Sequence, residues 1–323
     1  MASDNGAFTG KEEYMLEIKE YRRVGSLEEA WTLNQKKSNR VIGGMLWLKQ
    51  SRARINTAID LSGLGLDQIE EHADCFRIGC MVTLRQLETS EALNRYACDA
   101  IRDAVRWIVG VQFRNLATIG GSIFGRYGFS DVLTVFMAMG AEAELYRGGR
   151  VPLWTFVNRT PDRDILSHIR LPREEGSFAY LSVRNTKTDL PVLNTAAAVS
   201  GEGLLRRLVV GARPQKAMPV PFPAEQSLAL SEENIRALAA LAGEMVPTGD
   251  NMRGSAAYRS HLVQVLGRRV MKQALLRGAV SGAVPGAVRG VVPGAVRGAV
   301  QGAVSGAVSG AVPGAERKDG AGC

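Results

Sequence analysis

Two pairs of adjacent glycines mark the places in this sequence where the backbone itself could do chemistry. Ile42–Gly43–Gly44 and Thr118–Ile119–Gly120–Gly121–Ser122 each follow an apolar, strand-like segment. Glycine turns can adopt φ > 0, and without a Cβ their N–H groups can approach a phosphate closely. Two such loops facing each other would clamp a pyrophosphate from both sides. Either pair alone is more often just a tight turn. Neither has the GxGxxG spacing of a dinucleotide fingerprint or the spacing of a phosphate-binding Walker loop, so the Rossmann and P-loop readings fail.

The other reactive side chains give less. His72, His168 and His261 are far apart and form no ligand spacing. The four cysteines, Cys75, Cys80, Cys98 and Cys323, are irregularly placed and never in a CxxC pair. That argues against a disulfide framework, a zinc site or an iron–sulfur cluster held by this chain. Cys75 and Cys80 read as packing thiols, and Lys187 with Asp189 as a surface pair.

The elements that must carry the two loops alternate between strand and helix. YMLEIKEYRRV reads as a strand, and SLEEAWTLNQKK as a helix capped by Ser26, with Glu29 completing a capping box. RVIGG is a strand running into the first glycine pair. CFRIGCMVTLRQLE reads as a strand turning into a helix. EALNRYACDAIRDAVRWI has helical spacing throughout and predicts one long amphipathic helix. AEAELY and RGGR predict strand, turn and strand. From residue 164 to residue 200 the pattern changes to successive strands, followed by two helices within SEENIRALAALAGEM and AAYRSHLVQVLGRRVMKQALL. The expectation is an α+β protein, with a two-part domain over residues 14–172 and a smaller α+β domain over 173–277.

Flanking segments are read separately. Residues 1–13 are expected to be flexible. Residues 278–323 open with a four-residue repeat, GAVS, GAVP, GAVR and variants, running as far as Arg317. Frequent glycine raises the entropic cost of order, and Ala and Val bury little in return, so a disordered low-complexity tail is expected. No apolar run approaches the ~20 residues of a membrane span, and the N-terminus lacks the apolar stretch of a secretory signal. The cytoplasm is the expected compartment. The net charge is +8, but its cations are scattered without a basic stripe and interleaved aromatics, which argues against nucleic acid as a partner.

A longer string around the second glycine pair is more specific. QFRNLATIGGSIFGRYGFSD, from Gln112 to Asp131, resembles the pattern QIRNxATIGGN, followed by an aspartate before a helix, of the FAD-binding subunits of molybdenum hydroxylases such as xanthine and carbon monoxide dehydrogenases. RVIGG resembles that family's first glycine loop. SVRNTKTDLPVLNTAAAV and GDNMRGSAAYRSHLVQVLGRR resemble its later segments, the last through Asp250, Arg253, Ser255, Tyr258 and Arg259.

The resemblance implies a PCMH-type FAD-binding domain and a site for FAD. Asn39, Arg40, Val41, Ile42, Gly43, Gly44, Met45 and Leu46 would form the first FAD loop. Ala117, Thr118, Ile119, Gly120, Gly121 and Ser122 would form the second, with the Thr118 hydroxyl on a phosphate oxygen. Asp131, Ile165 and Tyr180 would lie near the flavin, Tyr180 either against its ring or as a core aromatic. The implied partners are a molybdopterin-containing large subunit and a [2Fe–2S] small subunit in a hetero-oligomer. Electrons would pass through FAD to NAD or another acceptor. No residue is assigned to acid–base catalysis. This sequence departs from the family pattern at Met45–Leu46, where Thr-Asp is usual, at Ser122 for Asn, and at Arg126–Phe129. Two further readings stay open: a non-enzymatic scaffold subunit that has lost flavin, and a free-standing flavin oxidase.

Overall fold

The computed structural model describes residues 16–280. The first 15 residues, and the repeat from residue 281 on, lie outside the described residues, and with them the expectations of a flexible N-terminus and a disordered tail.

Three sheets organise the described chain. In the first, β1 (Glu17–Arg23), β2 (Arg40–Ile42) and β3 (Arg54–Asp60) run parallel in the order β1–β3–β2. The second is antiparallel, with β4 (Ile69–Glu71), β5 (Cys75–Gly79), β6 (Glu142–Leu145), β7 (Gly149–Pro152) and β8 (Leu166–Pro172) in the order β4–β5–β8–β6–β7. The third holds β9 (Gly176–Val183), β10 (Leu193–Ser200), β11 (Leu205–Gly211) and β12 (Met218–Pro219), antiparallel in the order β12–β11–β10–β9.

Helix α1 (Leu27–Asn34) bridges the first two strands. Its Ser26 cap accepts from the Glu29 N–H at 3.1 Å as predicted, while the Glu29 carboxylate reaches past Ser26 to the Gly25 N–H at 2.9 Å. Between β5 and β6 lie α2 (Leu84–Thr89), α3 (Glu91–Tyr96), α4 (Ala100–Val105), α5 (Val111–Leu116), α6 (Ile119–Phe124) and α7 (Asp131–Ala138). Helix α8 (Leu153–Asn158) follows β7, and α9 (Glu232–Met245) and α10 (Ala256–Val280) follow the third sheet. Helix α10 continues through Gly278, Ala279 and Val280, three residues into the repeat.

Two expectations are corrected here. The long helix predicted over residues 91–108 is broken between α3 and α4, where Cys98 and Asp99 have φ of 49° and 61°. The buried Asn94 side chain makes the break. Its amide donates to the carbonyls of Leu87 and Ser90, and its oxygen accepts from the Arg102 N–H at 2.9 Å, capping the second segment. The second glycine pair, expected as a turn, is the first turn of α6. Thr118 caps that helix, its hydroxyl oxygen accepting from the Gly121 N–H at 3.1 Å.

The third sheet is covered on both faces, which is why every residue of β10 is buried. Phe178, Tyr180, Ala196, Ala198 and Val209 join the main core, against α4 and α7. Ala179, Ala197, Val199 and Val210 face the other way, into a second core with α9 and α10. Arg259 of α10 is fully buried there without a carboxylate partner among the described residues. Its guanidinium donates to the carbonyls of Val192, Gly249 and Gly254 and to the Asn251 side chain, fastening the 249–254 loop to the start of β10.

Candidate functional site

The parallel strand β2 ends at Ile42 and delivers the chain into Gly43, Gly44, Met45 and Leu46. Met45 turns the backbone with φ of 58°, a left-handed conformation that costs a side-chain-bearing residue about 1 kcal/mol. The backbone N–H groups of Gly43 through Leu46 find no acceptor among the described residues. Successive unpaired N–H groups next to a left-handed residue form a concavity suited to an anion.

The second segment is built against the first. A Cβ on Gly44 would collide with the Leu116 carbonyl oxygen, and one on Gly43 would stand 2.7 Å from Thr118 Oγ1. Gly44 is thus required for the two loops to touch. None of the four loop glycines has positive φ, contrary to the sequence expectation. Close approach explains Gly43, Gly44 and Gly120 instead. Gly120 packs on the segment after β5, where a Cβ would lie 2.5 Å from the Cys80 carbonyl oxygen.

The N–H groups at the start of α6 are already used. Ile119 donates to Val82 and Gly120 to Cys80, each at 2.9 Å, and Gly121 donates to Thr118 Oγ1. Unpaired backbone donors therefore come mainly from the first loop, the second keeping only the Thr118 N–H without an acceptor among the described residues. The second loop offers the Thr118 hydroxyl proton, which has no acceptor among the described residues. Ser122 spends its hydroxyl on the Thr118 carbonyl at 3.1 Å.

These segments wall a cavity of about 530 Å3, within the range typical of cofactor and ligand sites. Residues 40–46, Ala117, Thr118, Gly120, Gly121, Ser122, Asp131 and Ile165 all line it. Asn39, Ile119 and Tyr180 do not. Asn39 is turned to the Leu33 carbonyl at 2.8 Å, Ile119 is fully buried in the main core, and the Tyr180 ring lies behind the wall. Arg40, exposed at the cavity, has no partner for its guanidinium among the described residues.

Asp131 opens α7 and is only 3% exposed. Its Oδ1 accepts from the Tyr180 hydroxyl and from Asn194 Nδ2 at 2.9 Å, and Arg184 Nη2 lies 2.8 Å from its Oδ2. Burial, reinforced by this carboxylate, pushes the Tyr180 phenol well above its ordinary range, so the phenol stays a donor. The neighbouring Asp164 carboxylate accepts from the N–H groups of Arg147, Gly148 and Ile165. The Cys80 thiol on the cavity wall is pushed up to about 12 by burial and is chemically inert.

Sequence reasoning missed the aromatic side chains of the site. Trp47, Tyr127 and Phe129 line the cavity together. No local pattern could have joined Trp47 to the other two, since a long stretch of chain separates them.

Residues 15–174 match the family of FAD-binding domains in molybdopterin dehydrogenases. The chain is 27% identical over 274 residues to the nicotine 6-hydroxylase medium subunit of Paenarthrobacter nicotinovorans, an alignment covering 79% of this chain and 96% of that one. It is 26% identical over 292 residues to the xanthine dehydrogenase FAD-binding subunit of Escherichia coli O157:H7, covering 81% and 97%. A structure of carbon monoxide dehydrogenase from Oligotropha carboxidovorans shares the fold, with a TM-score of 0.72, 23% identity and coverage of 80% and 98%. The sequence match, the shared fold and the glycine-walled cavity together make this chain an FAD-binding subunit of the molybdenum hydroxylase family.

Proposed function

We propose that the chain is the electron-transfer subunit of a molybdenum hydroxylase. It would take electrons from [2Fe–2S] clusters on a small subunit, supplied by substrate oxidation on a molybdopterin-containing large subunit, and deliver them to NAD or another acceptor. The observation that carries this reading is the row of unpaired N–H groups from Gly43 to Leu46, set beside the Thr118 hydroxyl in the lining of one cavity. This is a cradle for the pyrophosphate of a dinucleotide. Both relatives are named as subunits, and this chain matches nearly their whole length, which supports the hetero-oligomer.

The residues present fit FAD. When bound, FAD supplies reversible electron transfer in one- and two-electron steps, and the protein orients it and tunes its surroundings. The first loop would hold the pyrophosphate through backbone donors. Arg40 would neutralise part of its charge. Met45 and Leu46 give up the side-chain hydrogen bonds of a Thr-Asp pair without touching these backbone contacts. Asp131, fixed by Tyr180, Asn194 and Arg184, would present a rigid carboxylate edge to the cavity. No helix among the described residues is long and apolar enough to cross a membrane, and a cytoplasmic location is part of the proposal.

The test is purification of the tagged chain from its own cells, with flavin, iron and molybdenum measured on the same sample. Stoichiometric FAD, iron and molybdenum are expected. FAD without either metal would sink the hetero-oligomer. Bleaching of the flavin band by NADH without oxygen would identify NAD as the acceptor, and its absence would point to another.

A further inference from the structure

The geometry points to an aromatic wall, made by Trp47, Tyr127 and Phe129, on which the isoalloxazine of bound FAD stacks. This inference rests on the cavity being the flavin site. The three rings touch one another across the cavity wall. Tyr127 and Phe129 are stacked, with centroids 5.2 Å apart and planes 12° apart. Trp47 leans on both, at 5.9 Å and 5.3 Å. Trp47 sits just past the first glycine loop and the other two just past α6, so the wall begins where both loops end.

The wall is fixed before any ligand arrives. The Arg126 backbone is left-handed, with φ of 50°, and its guanidinium lies 4.5 Å from the Phe156 ring centroid while donating to the Arg159 carbonyl at 2.7 Å. The Tyr127 carbonyl accepts from the Ser130 N–H at 3.1 Å, and the Gly128 carbonyl from the Ala212 N–H at 2.9 Å. The Tyr127 ring packs so closely on Gly125 that a Cβ there would collide with it. A preset flat surface holds a planar ring with little loss of side-chain entropy. Met45 and Leu46, beside it, offer no hydrogen-bonding side chain, so stacking is the hold this end of the cavity can provide.

The position of the wall selects the isoalloxazine over the adenine. Phe129 and Leu190 also line a second, smaller cavity of about 170 Å3, shared with Pro191, Ala212 and Arg253. Trp47 is itself 39% exposed. A ring stacked here can be reached by an electron donor or acceptor, as the redox end must be. The part of the main cavity lined by Ile108, Val109 and Phe113 would take the adenine.

The test compares full-length wild type with Trp47→Ala, Trp47→Phe, Tyr127→Ala and Tyr127→Phe. Each is titrated with FAD and, separately, with ADP as a probe of the adenine–pyrophosphate end, and the fluorescence of the bound flavin is recorded. The alanine variants should weaken FAD about tenfold, the change produced by 1.4 kcal/mol, brighten the bound flavin and leave ADP affinity unchanged. The phenylalanine variants should restore FAD affinity. Equal losses for FAD and ADP, or unchanged FAD affinity and fluorescence, would overturn the wall while leaving the flavin site intact. Wild type that binds neither FAD nor ADP would instead overturn the site itself.

Discussion

Gly44 and Leu116 touch backbone to backbone: the place where a Cβ would stand on Gly44 is already occupied by the Leu116 carbonyl oxygen. The proposed anion cradle depends on this contact, because it brings the first loop against Thr118. Gly44→Ala is therefore expected to push the loops apart, costing about 1–3 kcal/mol as overpacking does, with loss of FAD. Gly121→Ala meets only Thr118 Oγ1, at 3.2 Å, and should keep most of its flavin. Thermal melts and flavin content of the two variants check the contrast, and equal behaviour would refute it.

Met45 carries the conformational strain of the first loop, since φ of 58° suits glycine. Met45→Gly should leave stability within about 1 kcal/mol of wild type, the relief of strain offsetting the gain in unfolded-chain entropy. Met45→Val, β-branched, should be clearly less stable. Denaturant melts of both variants would reveal a reversed order if the loop were not held in this conformation.

The sequence made the loops legible because close backbone approach demands glycine wherever it occurs. It did not reveal which close approach was meant. The diglycine at 120–121 reads as a phosphate turn, yet its donors are taken by Val82, Cys80 and Thr118, and its missing Cβ serves packing on Cys80. The break after Tyr96 was hidden because helical spacing persists through it, while a single buried asparagine overrides the period. Asn39 is the sequence neighbour of a wall residue but turns to the Leu33 carbonyl, and Tyr180 points from β9 into the main core, where it meets Asp131. The strands and the two last helices were readable because their periodicity and burial agree.

At the cavity wall, Asp131 and Arg184 form a buried ion pair within a network shared with Tyr180 and Asn194. Removing one partner strands the other in a low-dielectric interior. Arg184→Met is expected to cost about 3–5 kcal/mol. The double variant Asp131→Asn with Arg184→Met should recover part of that loss. A double-mutant cycle in urea tests the coupling, and strictly additive losses would show that the two side chains act independently.

His168, on β8, gives the fold a pH dependence unrelated to the flavin. Burial lowers its pKa below the ordinary 6.5, and Arg77 lowers it further, outweighing Glu144 and Glu70. Arg77 Nη2 lies 3.0 Å from His168 Nδ1, which favours the neutral ring as acceptor. The unfolded chain therefore binds the proton more readily than the folded one. Stability should be full above 6.5 and fall as pH drops below it, levelling off under the folded pKa. His168→Gln should remove that slope from melts at pH 5 to 8, and a slope left unchanged would assign it to other groups.

Ser177 on β9 donates to the Ala274 carbonyl of α10 at 2.7 Å, and Arg259 of the same helix fastens the approach to β10. The strand that carries Tyr180 to Asp131 is thus backed by the last of the described helices to be synthesised. While the ribosome is still adding those residues, both glycine loops have already emerged but the rear of their cavity has no support. The backing of β9 is therefore completed only once α10 has packed on the third sheet, so a chain halted before residue 256 would lack it.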